Sequence, residues 1–162
     1  MPVKGEVKIW NHENNELEGP EENGSSKIFE FDYSIHQPYD PITMRIQGSA
    51  RIDEFRITKE IDKLTPLLLG IASKGIICAK VVITLYQINQ LNGGLGGGRE
   101  EPYYEYSLEE VRFSQIRNNM ASIIDASTEA TGHMEDIYMI AERHNWKYLD
   151  GNVEEYYPPE GG

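Results

Sequence analysis

The chain has 162 residues, with 15 Lys and Arg against 27 Asp and Glu, a formal charge of −12. That is room for one domain, and it supplies little of the basic face that nucleic acid or an anionic membrane surface requires. Apolar residues at 39% and aromatics at 10% fit a folded protein rather than a disordered one. The one cysteine, Cys78, excludes an internal disulfide framework and any multi-cysteine metal site.

No apolar run reaches the roughly 18 to 20 residues of a membrane span. At the N-terminus Lys4, Glu6 and Lys8 interrupt single apolar residues, so no signal-peptide core is present there. The expectation is a protein made in the cytoplasm and, if it leaves the cell, exported without a cleaved signal.

Period-two alternation predicts strands along most of the chain. Val3, Gly5, Val7 and Ile9 alternate with charged residues, and Phe29, Phe31, Tyr33 and Ile35 alternate with Glu30, Asp32 and Ser34. Phe55, Ile57 and Ile61 continue the theme, with Lys59 breaking the apolar side. Ala79 to Ile88 is apolar on both faces, as a central strand would be. Tyr104, Tyr106 and Leu108 share one parity and Val111 and Phe113 the other, so a bulge or bend is expected near Glu109. Ile137 to Tyr148 is the last strong strand segment.

One helix of about two turns is predicted over Thr65–Lys74, with Thr65 as N-cap, Pro66 at the first position, Lys74 in the last turn and Gly75 as the stop. Such a short helix is unstable alone, so its Leu and Ile side chains should lie against a sheet. The segment from Arg117 to Ala130 is ambiguous between a fraying strand and a short helix and reads mostly as loop.

The remaining stretches read as solvated. Residues 11–26 carry five glutamates and no Lys or Arg before Ser26, a mobile acidic loop; residues 92–101 hold five glycines, a flexible turn between strands. Residues 35–50 form a connection too long for a simple hairpin. Residues 151–162 form a flexible acidic tail after a single β domain over 1–150. Many alternating strands and one short helix suggest a closed or nearly closed β domain.

Chemistry-bearing patterns are sparse. The glycine cluster is followed by Arg99-Glu100-Glu101-Pro102 and a strand, not by the Lys-Ser/Thr and helix of a phosphate loop. His12, His36, His133 and His144 lack partners at metal-ligand spacing, with His12 and His133 expected in loops. No Gly-x-Ser-x-Gly elbow occurs, and Cys78 reads as core filling. The expectation is therefore no catalytic, cofactor-binding or metal site. Tyr103, Tyr104 and Tyr106 read as sheet packing.

Four blocks in order resemble the haemolysin-coregulated proteins (Hcp) of bacterial type VI secretion. Phe55-Arg56-Ile57-Thr58-Lys59-Glu60-Ile61-Asp62-Lys63-Leu64-Thr65-Pro66-Leu67-Leu68 is similar to the family's strand with Thr-Lys, then an acidic-Lys pair, Ser/Thr-Pro and a leucine-rich helix. Ala79-Lys80-Val81-Val82-Ile83 resembles the strand that follows, and Tyr103-Tyr104-Glu105-Tyr106-Ser107-Leu108-Glu109-Glu110-Val111 the Tyr-Tyr-x-Tyr-x-Leu-x-x-Val strand. Arg143-His144-Asn145-Trp146-Lys147-Tyr148 resembles the closing Lys-x-x-Trp-x-Tyr strand. Residues 11–26, the glycine loop and residues 116–133 depart from the pattern.

The resemblance implies a mainly β protein, two antiparallel sheets forming a small barrel with one flanking helix. It implies no enzyme but a subunit of six-membered rings that stack into an inner tube. Its partners would be other copies of the chain, a contracting sheath, a spike at the tip and secreted effectors in the lumen. Ile35, His36, Tyr39, Ile42, Met44 and Ile46, on the long connection, are the candidate ring-stacking residues, since a solvated loop need not carry Ile42, Met44 and Ile46. The alternatives are a loop folded over its own barrel, a monomeric ligand- or effector-binding barrel, and a tail-tube protein of a related contractile injection system.

Overall fold

A computed structural model describes residues 4–89, 99–124 and 132–159. In these residues the alternating segments become β1 (Gly5–Trp10), β2 (Glu16–Leu17), β3 (Ser26–Asp32), β4 (Ile35–His36), β5 (Arg51–Ile52) and β6 (Phe55–Glu60). Then come α1 (Thr65–Lys74), β7 (Cys78–Asn89), β8 (Arg99–Met120), β9 (His133–Tyr148) and β10 (Val153–Tyr157). Every pairing is antiparallel, and β9–β6–β3–β1–β7–β8 returns to β9, so the hydrogen bonding runs round a complete barrel circuit. β2 adds to β1 and β10 to β9, while β4 and β5 form a separate two-stranded sheet. The mainly antiparallel β class with one helix is the one the sequence predicts.

Inside the circuit Val7, Ile9, Ile57, Val81, Ile83 and Ile137 are fully buried. The parity switch in β8 is a bend: Glu110 takes a left-handed φ of 54°. The register is the same on both sides of it, because the neighbouring strands switch phase at the same level. Leu108 lies between Val81 and His144, and Val111 between Cys78 and Ala141, two rows in which three strands turn inward together. True register shifts occur elsewhere, at Phe29, Tyr103 and Ser114. The shift at Phe29 puts Ile28 in the core and leaves Phe29 51% exposed, against the expectation that Phe29 faces inward. Beyond the shift Tyr33 stacks on Phe55 with centroids 4.6 Å apart, but Phe31 and Ile35, expected on the same inward face, are exposed at 36% and 50%.

α1 occupies the expected residues, with Pro66 in its first turn and Gly75 ending it in a left-handed conformation, φ 66°. Thr65 is not the N-cap; Leu64 is, without a side-chain cap. The start is fixed instead by Asp62 and Thr65, since Thr65 Oγ1 accepts the Asp62 N–H at 3.0 Å and Asp62 Oδ1 accepts the Leu64 N–H at 2.8 Å. Leu64 and Leu68 are fully buried, each contributing about 1.5–3 kcal/mol by its burial, whereas Leu67 and Leu69 face outward.

Four loop expectations need correction. Residues 11–26 are an ordered turn closed by β2, with Gly19 N–H on the Gly24 carbonyl at 2.8 Å and Glu21 N–H on that of Ser25 at 3.0 Å. A Cβ on Gly19 would stand 2.4 Å from the Ser25 carbonyl oxygen, so the turn admits only glycine there. β8 extends to Met120 through a segment read as loop, because β9 pairs with it as far as His133, itself a strand residue. The expected flexible tail contains β10, whose Tyr157 pairs with His144. Of the glycine-rich residues, 92–98 lie outside the described residues, and Arg99 to Glu101 belong to β8.

Candidate functional site

Residues 35–50 leave the barrel as a hairpin arm. Ile35 pairs with Ile52 and His36 with Arg51, and farther out Tyr39 bridges Ile46. The tip is closed by the Asp40 N–H on the Arg45 carbonyl at 2.8 Å and the Met44 N–H on that of Asp40 at 2.7 Å. Met44 adopts φ 59° there. The Asp40 carboxylate accepts the Ile42 N–H at 2.9 Å, and this bond, with that from Thr43, holds its carboxyl below the usual range.

The six sequence candidates all lie on this arm, and all are exposed. Ile42 is 91% exposed and Met44 74%, with Ile35, Tyr39 and Ile46 at half or more. The arm therefore does not fold back over its own barrel. Exposed apolar side chains on a hydrogen-bonded hairpin are a feature of contact surfaces, since water gains nothing from their display.

The arm's base is polar. Asp53 accepts the Ser34 hydroxyl at 2.6 Å and lies 3.4 Å from His36 Nδ1, and the Ser34 bond, more than His36, lowers its carboxyl pKa. Behind it, Tyr33 sits among Phe55, Tyr106 and His144. Its hydroxyl accepts the Trp146 Nε1–H at 3.0 Å and lies 2.8 Å from His144 Nδ1, while His144 Nε2 is 3.2 Å from the Ala141 carbonyl. This pattern places the His144 proton on Nε2. Burial lowers the His144 pKa, against an opposing effect of the Ala141 bond, and burial pushes Tyr33 up to about 12.

Two buried polar clusters are absent from the sequence reading. Lys59, taken there as a break in the apolar side, points inward and is fully buried. Its ammonium lies 2.6 Å from the equally buried Glu135, its cross-strand partner, and 2.9 Å from Asp62. Glu6 is the second centre: it accepts hydrogen bonds from Tyr86, from Ser25 at 2.8 Å and from Asn23 at 3.2 Å. Burial raises the Glu6 pKa, but these bonds and the Lys4 charge more than offset it, so the carboxyl sits below its ordinary value. The signal for the first was a charged residue at an inward strand position; Glu6 lies on the face of β1 opposite Val7 and Ile9, where alternation gave no sign of burial. These two clusters organise the barrel rather than a reaction centre.

Cys78 is buried in the core, and burial pushes its thiol up to about 11. Among the described residues, no group of three or more His, Cys, Asp or Glu is placed to hold a metal ion. Among the same residues no helix is long and apolar enough to cross a membrane.

A family model described as "Type VI secretion system effector, Hcp" matches residues 3–148. A "Major exported protein" of Pseudomonas aeruginosa is 27% identical over 118 residues, which are 73% of this chain and 65% of that relative's length. The structure of the Hcp1 protein from E. coli EAEC 042 superposes with a TM-score of 0.81 at 21% identity, covering 96% of this chain and 97% of that one. The secreted protein Hcp3 from Pseudomonas aeruginosa gives 0.70 at 18% identity, with 96% and 97% coverage. At these identities the structures speak for the fold alone, and the match over nearly the whole chain speaks for descent. The chain belongs to the Hcp family of type VI secretion proteins, a family of structural secretion components and not of enzymes.

Proposed function

We propose that this chain is a tube subunit whose copies close into hexameric rings, and that the arm joins one ring to the next. A head-to-tail contact repeated around an axis closes when its rotation divides a full turn, and a second contact along the axis then propagates the tube. The observation that carries this reading is the arm itself, which displays Ile42 and Met44 almost fully to water at the end of an ordered hairpin. The barrel interior supports a structural role over a ligand-binding one, because Val7, Ile57, Ile83 and Ile137 fill it.

In this reading the sheath surrounds the tube, a spike protein caps it, and effectors travel in the lumen. The subunit is made in the cytoplasm and leaves through the machine itself. The test is to replace Ile42 or Met44 with Asp in the purified protein. Size exclusion should still show rings, while negative-stain images should lose the stacks that the parent protein forms. Normal stacks from both variants would refute the role of the arm. A single-protomer mass at every concentration of the parent protein would refute the ring.

A further inference from the structure

The arm has two roots, one tied to β9 and the other to β10, which pair with each other. On one side Tyr33, two residues before β4, is held through its hydroxyl by His144 and Trp146 of β9. On the other, the carbonyl of Ala50, just before β5, accepts the Tyr157 hydroxyl of β10 at 3.3 Å. His144 and Tyr157 are cross-strand partners, their rings edge to face at 6.0 Å, and His144 stacks against Tyr33 at 5.8 Å. A continuous path therefore runs from one root to the other through Ala50, Tyr157, His144 and Tyr33. β10 lies after residues 3–148, the part that the family model matches.

We propose that β10 is a positioning strand for the arm: through Tyr157 and His144 it sets the angle at which the hairpin leaves the barrel, and so governs ring stacking. The inference rests on the reading of the arm as the stacking element. A two-stranded hairpin is marginal by itself, so its direction has to come from its roots. Seven residues separate Ile35 from Ile42, a lever of roughly 20 Å at strand rise, so a root rotation of about 10° moves the tip by about 3–4 Å. Close-packed contacts do not tolerate a displacement of that size. Asp53 and Ser34 clasp the arm across its base but do not connect it to the barrel's far strands.

The test uses Tyr157→Phe, which keeps the ring over His144 and removes the bond to Ala50, and a chain stopped after Gly151. Hydrogen exchange is read at the arm amides of Asp40, Met44, Gln47 and Asp53, all bonded within the arm or its base, together with ring size and stack length. With Tyr157→Phe the arm amides should exchange about 2- to 10-fold faster, the effect of one lost hydrogen bond, and stacks should shorten. The amides of β1 and β7 and the ring size should not change, which separates positioning from general destabilisation. The shortened chain should show a larger effect. Parent-like exchange and stacking in Tyr157→Phe would overturn the proposal even if the shortened chain failed to fold. If instead Ile42→Asp and Met44→Asp both stack normally, the stacking role of the arm falls, while exchange still reports whether β10 holds it.

Discussion

Replacing Lys59 with Met should be among the most damaging single changes available in this chain. Met keeps most of the aliphatic stem and removes the ammonium. Glu135 would then be a carboxylate with no exposed surface and no cation, since Lys59 is its ion-pair partner and Glu135 Oε2 has no hydrogen-bond partner among the described residues. Asp62 suffers less, because it is partly exposed and keeps its bonds with Ser26 and Leu64. Removing one member of a buried pair costs about 3–5 kcal/mol. For a domain of this size that is a fall of roughly 6–20 °C in melting temperature. The double variant Lys59→Met/Glu135→Leu removes both charges, and should melt within about 4 °C of the parent or above it, as buried pairs replaced by apolar residues do. Circular dichroism melts at one fixed protein concentration give the comparison, because assembly would otherwise shift the midpoint. A single variant within about 2 °C of the parent, or a double variant as unstable as the single, would refute the claim that the charges are desolvated and mutually dependent.

Two pH effects follow from the other buried groups. The depressed folded pKa of Glu6 means that its contribution is fully present above the ordinary carboxyl value of 4.5 and is lost as pH falls through the folded value. Glu6→Gln should therefore be less stable than the parent near neutrality and show a flatter loss of melting temperature on acidification, read in melts from about pH 6 to pH 3. The folded pKa of His144 is also depressed, so its neutral form is favoured, and stability present above the ordinary value of 6.5 declines as pH falls below it. A proton on Nδ1 would face the Tyr33 hydroxyl, already an acceptor for Trp146, with Tyr157 across the strand pair and Glu109 and Arg143 as the charged groups lining the same pocket as His144. His144→Phe should remove that decline between about pH 7 and pH 5, and an unchanged profile would refute it.

The frame of the barrel was legible because its strands alternate, and alternation is what one buried face imposes. The opposite parities of Leu108 and Val111 announced the bend at Glu110, since a strand cannot change phase without one. Pro66 and Gly75 marked the helix by chemistry local to its ends. Lys59 was misread because an inward lysine looks like a broken pattern until its partner is known, and Glu135 lies in a different strand, distant in sequence. β10 was missed because Val153-Glu154-Glu155-Tyr156-Tyr157 carries acidic residues that suit a tail. It is a strand because β9 offers it an edge, a tertiary cause invisible in the segment itself. The arm's apolar residues were legible as an anomaly in a connection. Its roots were not, since the path from Tyr33 to Ala50 runs through side chains more than a hundred positions away along the chain.

The distribution of polar groups fits a molecule that must be stiff in one part and displayed in another. Lys59, Glu135 and Asp62 join β6, β9 and the start of α1, while Glu6 gathers β1, β7 and the 11–26 turn. Each cluster crosses strands that hydrophobic packing alone would leave free to slip in register, because apolar side chains of similar size are interchangeable and a buried charge is not. Exposed Ile35, Tyr39, Ile42, Met44 and Ile46 stand where such stiffness is useful: on an arm whose reach magnifies any play in its base. A rigid barrel and an exposed arm are then one arrangement, since a contact made at the end of a lever is only as specific as the frame that holds it.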